Sequence, residues 1–131
     1  MSQPCVLLVE DEFLIRMVLT ETLMESGLAV TEAASGDEAV GLLDGQHRFD
    51  LVLTDVHMPG RLNGVDVARR ARTLWPTVPV VFVTGRPDTL DAFGPPGPQD
   101  RTVLKPYRPS DVLTAVQDSL GQRANPATAR L

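Results

Sequence analysis

Acidic, hydroxyl and basic side chains stand directly after short apolar runs at four places in the sequence. The run CVLLV ends at Glu10 and Asp11, and the run LVLT ends at Asp55. The run VVFV is followed by Thr84, and the run TVL is followed by Lys105. Three carboxylates brought together repel one another, and their pKa values rise unless a cation neutralises them. If the four runs meet in space, this pattern therefore predicts a cation beside the carboxylates.

A hard divalent ion suits such a set of side chains. Mg²⁺ takes oxygen ligands, keeps several of its waters and needs few protein carboxylates. Lys105 would add a fixed positive charge, and Thr84 would add a hydroxyl donor. These groups are the ones that a phosphoryl transfer requires, with Asp55 as a nucleophile that attacks phosphorus.

Each of these residues also has an ordinary explanation when it is taken alone. Acidic residues at 10–12 could begin a helix, where the macrodipole favours negative charge. Asp55 could be a turn residue or a helix cap. Thr84 could simply end a strand, and Lys105 could be a solvated side chain before a rigid turn. The combination at four separate run ends, in this order and spacing, favours a common site.

The elements that must position these residues alternate between strand and helix patterns. Short β-rich apolar runs predict strands at 5–9, 28–33, 49–54, 78–84 and 102–104. Helical spacing of apolar residues predicts helices at 13–26, 36–47, 64–75 and 109–120. Residues 86–100 contain four prolines and two glycines, so at most a short helix at 88–93 fits there. The alternation predicts an α/β fold with a parallel sheet, whose ligands lie beyond the carboxyl ends of the strands.

Length and composition limit the kind of protein this can be. The chain has 131 residues, which predicts one domain at 1–121 and a flexible tail at 122–131. The net charge of −5, from 17 acidic and 12 basic residues, argues against a nucleic-acid surface. Cys5 is the single cysteine, which excludes an internal disulfide. No signal peptide or membrane span is visible, so we expect a soluble, cytoplasmic protein.

Four segments of the sequence resemble the receiver domains of two-component response regulators. They are VLLVEDE at 6–12, LVLTDVHMPG at 51–60, VVFVTG at 80–85 and LKPY at 104–107. The resemblance implies a flavodoxin-like (CheY-like) fold, with a five-stranded parallel sheet in the order 2-1-3-4-5 and helices on both faces. Because of the proline-rich segment, we expect the fourth helix of that fold to be short or irregular.

The resemblance also implies an acceptor and a metal site. Asp55 would accept the phosphoryl group. Mg²⁺, for which Mn²⁺ is expected to substitute, would be bound by Asp11, Asp55 and the backbone carbonyl of His57. Glu10 would assist through a water molecule.

The remaining site residues follow from the same resemblance. Thr84 and Lys105 would hold phosphoryl oxygens, and the Lys105–Pro106 bond is similar to the family's cis peptide, a geometry accessible before proline. Three residues would flank the acceptor and tune the lifetime of the phosphoryl group: His57, Gly85 and Arg86.

One position departs from the family's usual pattern. Receivers usually carry an aromatic residue three positions before the lysine, where this chain has Thr102. Tyr107, two residues after the lysine, is expected to pack rather than to switch. The chain resembles the so-called FAT GUY subgroup, which lacks the aromatic on the fifth strand, although Arg86 and Pro87 depart from that motif.

These features predict a stand-alone phospho-acceptor switch of a phosphorelay. A histidine kinase or histidine phosphotransfer protein would supply the phosphoryl group, and the protein would catalyse only its own phosphorylation and dephosphorylation. Output would pass to an unknown downstream protein. We expect no direct nucleic-acid binding, no membrane association, and a monomer or weak dimer.

Three alternatives remain open from the sequence. The chain could be the receiver module of a hybrid histidine kinase. From a different class, it could be a phosphatase with an aspartate nucleophile, although such enzymes carry a second acid where this chain has His57. A binding module independent of phosphorylation is disfavoured, because the acidic pair and the lysine are both present.

Overall fold

The computed structural model of the chain describes residues 3–45, 47–94 and 96–121. The predicted tail at 122–131 lies outside these residues. Within them, no helix is both long enough and apolar enough to cross a membrane.

A five-stranded parallel sheet forms the centre of the fold. Its strands are β1 (Cys5–Val9), β2 (Ala29–Ala33), β3 (Leu51–Asp55), β4 (Val80–Thr84) and β5 (Arg101–Leu104). The strand order is β2-β1-β3-β4-β5, which confirms the predicted topology. β3 and β4 are buried along their whole length, because both faces of the sheet are covered. This explains why their sequences are continuous apolar runs rather than alternating patterns.

Helices cover the two faces of the sheet. They are α1 (Phe13–Glu25), α2 (Gly36–Leu43), α3 (Gly64–Leu74) and α4 (Pro109–Ser119). Buried residues of α1 and α4, among them Leu19, Leu23 and Val116, pack with those of one sheet face. Buried residues of α2 and α3, among them Leu43 and Val67, pack on the other.

Helix α2 is shorter than the sequence predicted. It ends at Leu43, and Asp44 is its C-cap, whereas the prediction ran to residue 47. Leu43 is the last buried apolar side chain of the helix. Beyond it the chain turns back towards β3. Another helical turn would bury no further apolar side chain and would therefore gain little stability.

The connection between β4 and β5 departs from a regular helix, as predicted. It contains a 3₁₀ helix, η1 (Pro87–Phe93), and ends at Gly94 with a φ of 100°. Such a positive φ favours glycine because it has no Cβ. The Phe93 ring packs edge-on against Phe82, with ring centroids 5.3 Å apart. The short helix is therefore fixed at its C-terminal end by an aromatic contact with the sheet.

Asp100 fixes the end of the same connection. Its carboxylate accepts hydrogen bonds from the Arg72 side chain, from the Val80 amide at 2.9 Å and from the Gly97 amide at 2.7 Å. The carboxylate is almost fully buried. It therefore joins the proline-rich loop to α3 and to the start of β4.

Candidate functional site

Asp55 is the last residue of β3, and its carboxylate is only 4% exposed. Oδ2 accepts a hydrogen bond of 3.0 Å from Lys105 Nζ. Oδ1 is buried and has no hydrogen-bond partner among the described residues. A buried carboxylate oxygen without a partner is costly, so this atom is suited to receive a cation or a reacting group.

Glu10 and Asp11 follow β1 and complete an acidic cluster with Asp55. One carboxylate oxygen of each of the three residues lies within 4.8 Å of the others. Glu10 is 2% exposed, and its carboxylate accepts a hydrogen bond from the Glu12 amide at 3.0 Å. This bond holds the carboxylate at the end of the strand.

The electrostatics of the cluster are those of a site that gains from a positive charge. The pKa of Glu10 is raised to about 7, chiefly by burial and also by Asp55 and Asp11, while the hydrogen bond from the Glu12 amide partly opposes this rise. A divalent cation would remove this repulsion. The oxygen-only donor set and the unpartnered Oδ1 of Asp55 fit a hard ion such as Mg²⁺.

Lys105 follows β5 and supplies a positive charge within the site. Burial lowers the pKa of its ammonium group, but the hydrogen bond and the charge of Asp55 more than offset this, and the pKa is raised. The Lys105 amide donates to the Thr84 carbonyl at 2.9 Å. The Lys105–Pro106 peptide bond is cis, which is the geometry that the resemblance implies.

Thr84 is the buried last residue of β4. Its hydroxyl oxygen accepts a hydrogen bond from the Arg86 amide at 2.9 Å. A hydroxyl that accepts in this way keeps its own hydrogen for a further acceptor. Because Val83 lies opposite Asp55 in the sheet register, Thr84 comes one residue beyond the level of the aspartate.

The three residues expected to flank the acceptor are all exposed. A Cβ placed on Gly85 would lie 3.9 Å from Lys105 Cβ, which is an ordinary contact. His57 Nε2 lies 3.2 Å from the hydroxyl of Thr89 in η1. Thr89 could not be found from the sequence, since a threonine in a short 3₁₀ helix has no pattern that distinguishes it.

Thr102 lies opposite Phe82 in the register of β4 and β5, and its side chain is exposed. It lines a groove of about 430 Å³ between η1 and β5, together with Phe82, Leu90 and Leu104. Tyr107 packs against the buried residues on the α1 and α4 face. Burial raises the pKa of its phenol to about 12, with the charges of Glu10 and Asp55 adding to the effect.

The carboxyl ends of β1, β3, β4 and β5 therefore carry three carboxylates, a lysine and a threonine hydroxyl. The carboxylates and the lysine are brought into direct proximity, and the threonine is linked to the lysine through the backbone. Oxygen donors that could hold a metal, an ammonium group and a hydroxyl therefore lie at one edge of the sheet.

Comparison with known proteins identifies the family. The family model described as response regulator receiver domain matches residues 6–117. The chain belongs to this family.

Among curated relatives, the transcriptional regulatory protein AfsQ1 of Streptomyces coelicolor is 38% identical over 106 residues, which are 80% of this chain and 46% of AfsQ1. The aerobic respiration control protein ArcA of Escherichia coli is 31% identical over 98% of this chain and 53% of ArcA. The receiver domain spans about half the length of these two relatives.

Solved structures support the same assignment. A response regulator receiver protein from Sinorhizobium medicae superposes with a TM-score of 0.83 at 29% identity, covering 92% of this chain and 97% of that one. The receiver domain of the hybrid histidine kinase CckA gives a TM-score of 0.72 at 30% identity, covering 88% and 98%. The fold of this receiver domain is thus the CheY-like flavodoxin fold, and its family is that of two-component signalling.

Proposed function

We propose that this receiver domain is a phospho-acceptor switch in which Asp55 receives a phosphoryl group from a phosphohistidine. In the transfer, a carboxylate oxygen of Asp55 forms a bond to phosphorus while the bond between phosphorus and the donor's ring nitrogen breaks. Hydrolysis later returns the carboxylate and releases inorganic phosphate. The chain performs these steps on itself, without turnover of a separate substrate.

The observation that carries this proposal is the environment of Asp55. One carboxylate oxygen is held by Lys105 at 3.0 Å, and the other is buried with no hydrogen-bond partner in the described part of the chain. An acidic residue used only as a strand end or helix cap would have both oxygens solvated or hydrogen-bonded. This environment supports the proposal that Asp55 acts as a nucleophile, with one oxygen oriented by Lys105.

The remaining site residues have separate proposed tasks. Glu10, Asp11, Asp55 and the backbone carbonyl of His57 would hold Mg²⁺, with Mn²⁺ as a substitute. The ion, when bound, offsets negative charge on the phosphoryl group and on the carboxylates. Lys105 would orient Asp55 before transfer and bind a phosphoryl oxygen after it, and the Thr84 hydroxyl would donate to another.

The donor protein is proposed to dock on the exposed apolar face of α1. Four side chains at the N-terminal end of this helix are exposed by 39% to 67%: Phe13, Leu14, Met17 and Val18. Leu14 and Val18 line a groove of about 660 Å³ that also contacts Lys105 and Tyr107. Exposed apolar side chains grouped beside a reactive site are typical of a protein interface. A histidine kinase or phosphotransfer protein seated there would reach Asp55.

The direct test is labelling with a small phosphodonor. The protein is incubated with Mg²⁺ and acetyl phosphate, and intact mass is measured for wild type and for Asp55→Asn. We expect one added phosphoryl group per wild-type chain, no label on Asp55→Asn, and full labelling of the control Asp50→Asn. Loss of labelling when the metal is chelated would support the metal site.

The same experiment separates the alternatives. Repeated hydrolysis of small phosphoesters by wild type would favour a phosphatase. No labelling of wild type under any donor would favour a binding module and would overturn the proposal.

A further inference from the structure

Thr89 lies in η1, and its hydroxyl contacts two segments at once. Its Oγ1 donates to the carbonyl oxygen of Arg86 at 2.7 Å and lies 3.2 Å from Nε2 of His57. His57 belongs to the loop after β3, and Arg86 belongs to the turn after β4. A single hydroxyl therefore ties together the two segments that follow Asp55 and Thr84.

The hydrogen count fixes the direction of these bonds. A threonine hydroxyl has one hydrogen, and here it is given to the Arg86 carbonyl. The contact with His57 is therefore one in which the imidazole donates from Nε2 and the hydroxyl oxygen accepts. This contact favours the form of His57 that is protonated at Nε2.

The hydrogen bonds of Thr89 extend through Arg86 to Thr84. The amide of Arg86 donates to Thr84 Oγ1 at 2.9 Å, while its carbonyl accepts from both the amide and the hydroxyl of Thr89. The chain of hydrogen bonds thus runs from Thr84 through Arg86 and Thr89 to His57. These hydrogen bonds connect Thr84 and His57 to the N-terminal end of η1.

The other end of η1 is held independently. Phe93 packs against Phe82, and the Arg72 guanidinium lies 5.6 Å from the centre of the Phe93 ring. Removing the Thr89 hydroxyl would therefore release the N-terminal half of η1 from the loop of His57 without removing the anchor at Phe93.

We propose that Thr89 is a positioning residue that sets how long the phosphoryl group survives on Asp55. Its hydroxyl keeps the segments of His57 and Arg86 together beside the acceptor, which limits the approach of water to phosphorus. The inference rests on the proposed function of Asp55. The Thr89 hydrogen bonds would also connect the site of Asp55 to η1. This connection matters because β5 carries Thr102 where receivers usually have an aromatic residue.

The test compares Thr89→Val with Thr89→Ser. Valine keeps the shape of the side chain and loses the hydroxyl, whereas serine keeps the hydroxyl. After labelling with acetyl phosphate and removal of the donor, we expect Thr89→Val to lose its phosphoryl group about three to ten times faster than wild type. Thr89→Ser should decay within about twofold of wild type. The matched control is Thr73→Val, because the Thr73 hydroxyl donates within its own helix, α3, to the Arg69 carbonyl at 3.0 Å.

A second readout needs no phosphorylation. The chain has two histidines, so the ring nitrogens of His57 can be distinguished from those of His47 by nuclear magnetic resonance. Wild type and Thr89→Ser should show His57 protonated at Nε2, and Thr89→Val should show a mixture of the two neutral forms. Thr89→Val that decays at the wild-type rate or more slowly would overturn the positioning role, even if the ring signals change.

The two proposals fail differently. Wild type that accepts no phosphoryl group would overturn the proposed function and, with it, the effect on lifetime. Wild type that is labelled normally, with ring signals and decay unaffected by Thr89→Val, would overturn the role of Thr89 alone.

Discussion

Asp55 is stabilised by its neighbours rather than by its own strand. Lys105 holds one carboxylate oxygen, and the second oxygen has no hydrogen-bond partner within residues 3–45, 47–94 and 96–121. Glu10 and Asp11 add negative charge nearby. The negative charge of the site is therefore not fully compensated, and binding a cation would stabilise it. A carboxylate with both oxygens paired would gain much less from a cation. Two predictions at the scale of single residues follow from this balance.

Lys105→Met should separate metal binding from transfer. Removing the ammonium group leaves the carboxylates less neutralised, so Mg²⁺ should bind several times more tightly because the repulsion between two cations is lost. Labelling by acetyl phosphate should slow by at least about tenfold, since a hydrogen bond to the phosphoryl oxygens is removed. Titration calorimetry and intact mass measure the two effects. Arg108→Met, which removes an exposed charge, should change neither, and weaker Mg²⁺ binding by Lys105→Met would contradict the electrostatic argument.

Glu10 should make the metal-free protein less stable as the pH rises. Its pKa is raised to about 7 in the folded chain, above the value of 4.5 expected when unfolded. Between these values the folded state binds more protons than the unfolded state, so the free energy of unfolding falls with increasing pH. Relative to Glu10→Gln, wild type should lose on the order of 1–3 kcal/mol from pH 4.5 to 7.

Urea unfolding of both proteins in the presence of a chelator measures this difference. Glu32→Gln, which alters an exposed carboxylate paired with Arg16, is the control and should follow wild type. Parallel pH profiles for wild type and Glu10→Gln would show that Glu10 is not destabilised by its surroundings.

At the scale of elements, the connection between β4 and β5 is held by specific contacts rather than by a regular helix. The Pro-rich sequence cannot form the backbone hydrogen bonds of a longer helix. Instead Phe93 packs on the sheet, and the buried carboxylate of Asp100 binds α3, β4 and its own loop. Side-chain contacts thus replace the missing helical turns.

Asp100→Ala should therefore destabilise the fold strongly. It leaves the Arg72 charge and two backbone amides without their partner, and breaking a buried pair in this way costs about 3 kcal/mol. Asp44→Ala is the matched control, since it breaks an exposed ion pair with Arg70 that is worth at most about 1 kcal/mol. Urea unfolding monitored by circular dichroism compares the two. Equal losses from both variants would contradict the anchoring role of Asp100.

The sequence predicted the strands better than it predicted these contacts. Strands buried on both faces are continuous apolar runs, so the topology and the residues at the strand ends could be anticipated. The partners of Asp100 are 20 and 28 residues away, and those of Thr89 include His57, which is 32 residues away. Such pairs depend on the path of an irregular loop across the sheet. The local periodicity of the sequence does not predict that path.

At the scale of the whole molecule, two surfaces stand on opposite faces of the sheet. The apolar end of α1 lies on one face, and the groove between η1 and β5 lies on the other. The site at the strand ends, which includes Asp55, lies between them. Under the proposed function, the phosphoryl donor and a downstream protein would therefore contact different faces of the sheet.

Leu14→Glu should weaken transfer from a protein donor without affecting a small one. Leu14 is 67% exposed in the free chain, and burying a leucine in an interface is worth about 1.5–3 kcal/mol. The rate of transfer from a phosphorylated histidine protein should fall about tenfold or more, while labelling by acetyl phosphate stays unchanged. Met24→Glu is the control, because Met24 is 56% exposed at the opposite end of α1. Equal effects of both variants on the protein donor would argue against docking at this end.

Lys105 has a further property that concerns how the site can be observed. It is the only lysine of the chain, and all other fixed cations are arginines. Its side chain is 37% exposed and bound to Asp55. Among side chains, an amine-selective acylating reagent can therefore react only with Lys105, and the ion pair with Asp55, which raises the pKa of the ammonium group, should slow that reaction. If Asp55 is phosphorylated as proposed, the rate of acylation at Lys105 should change with it, so the unsubstituted protein would report the state of the site.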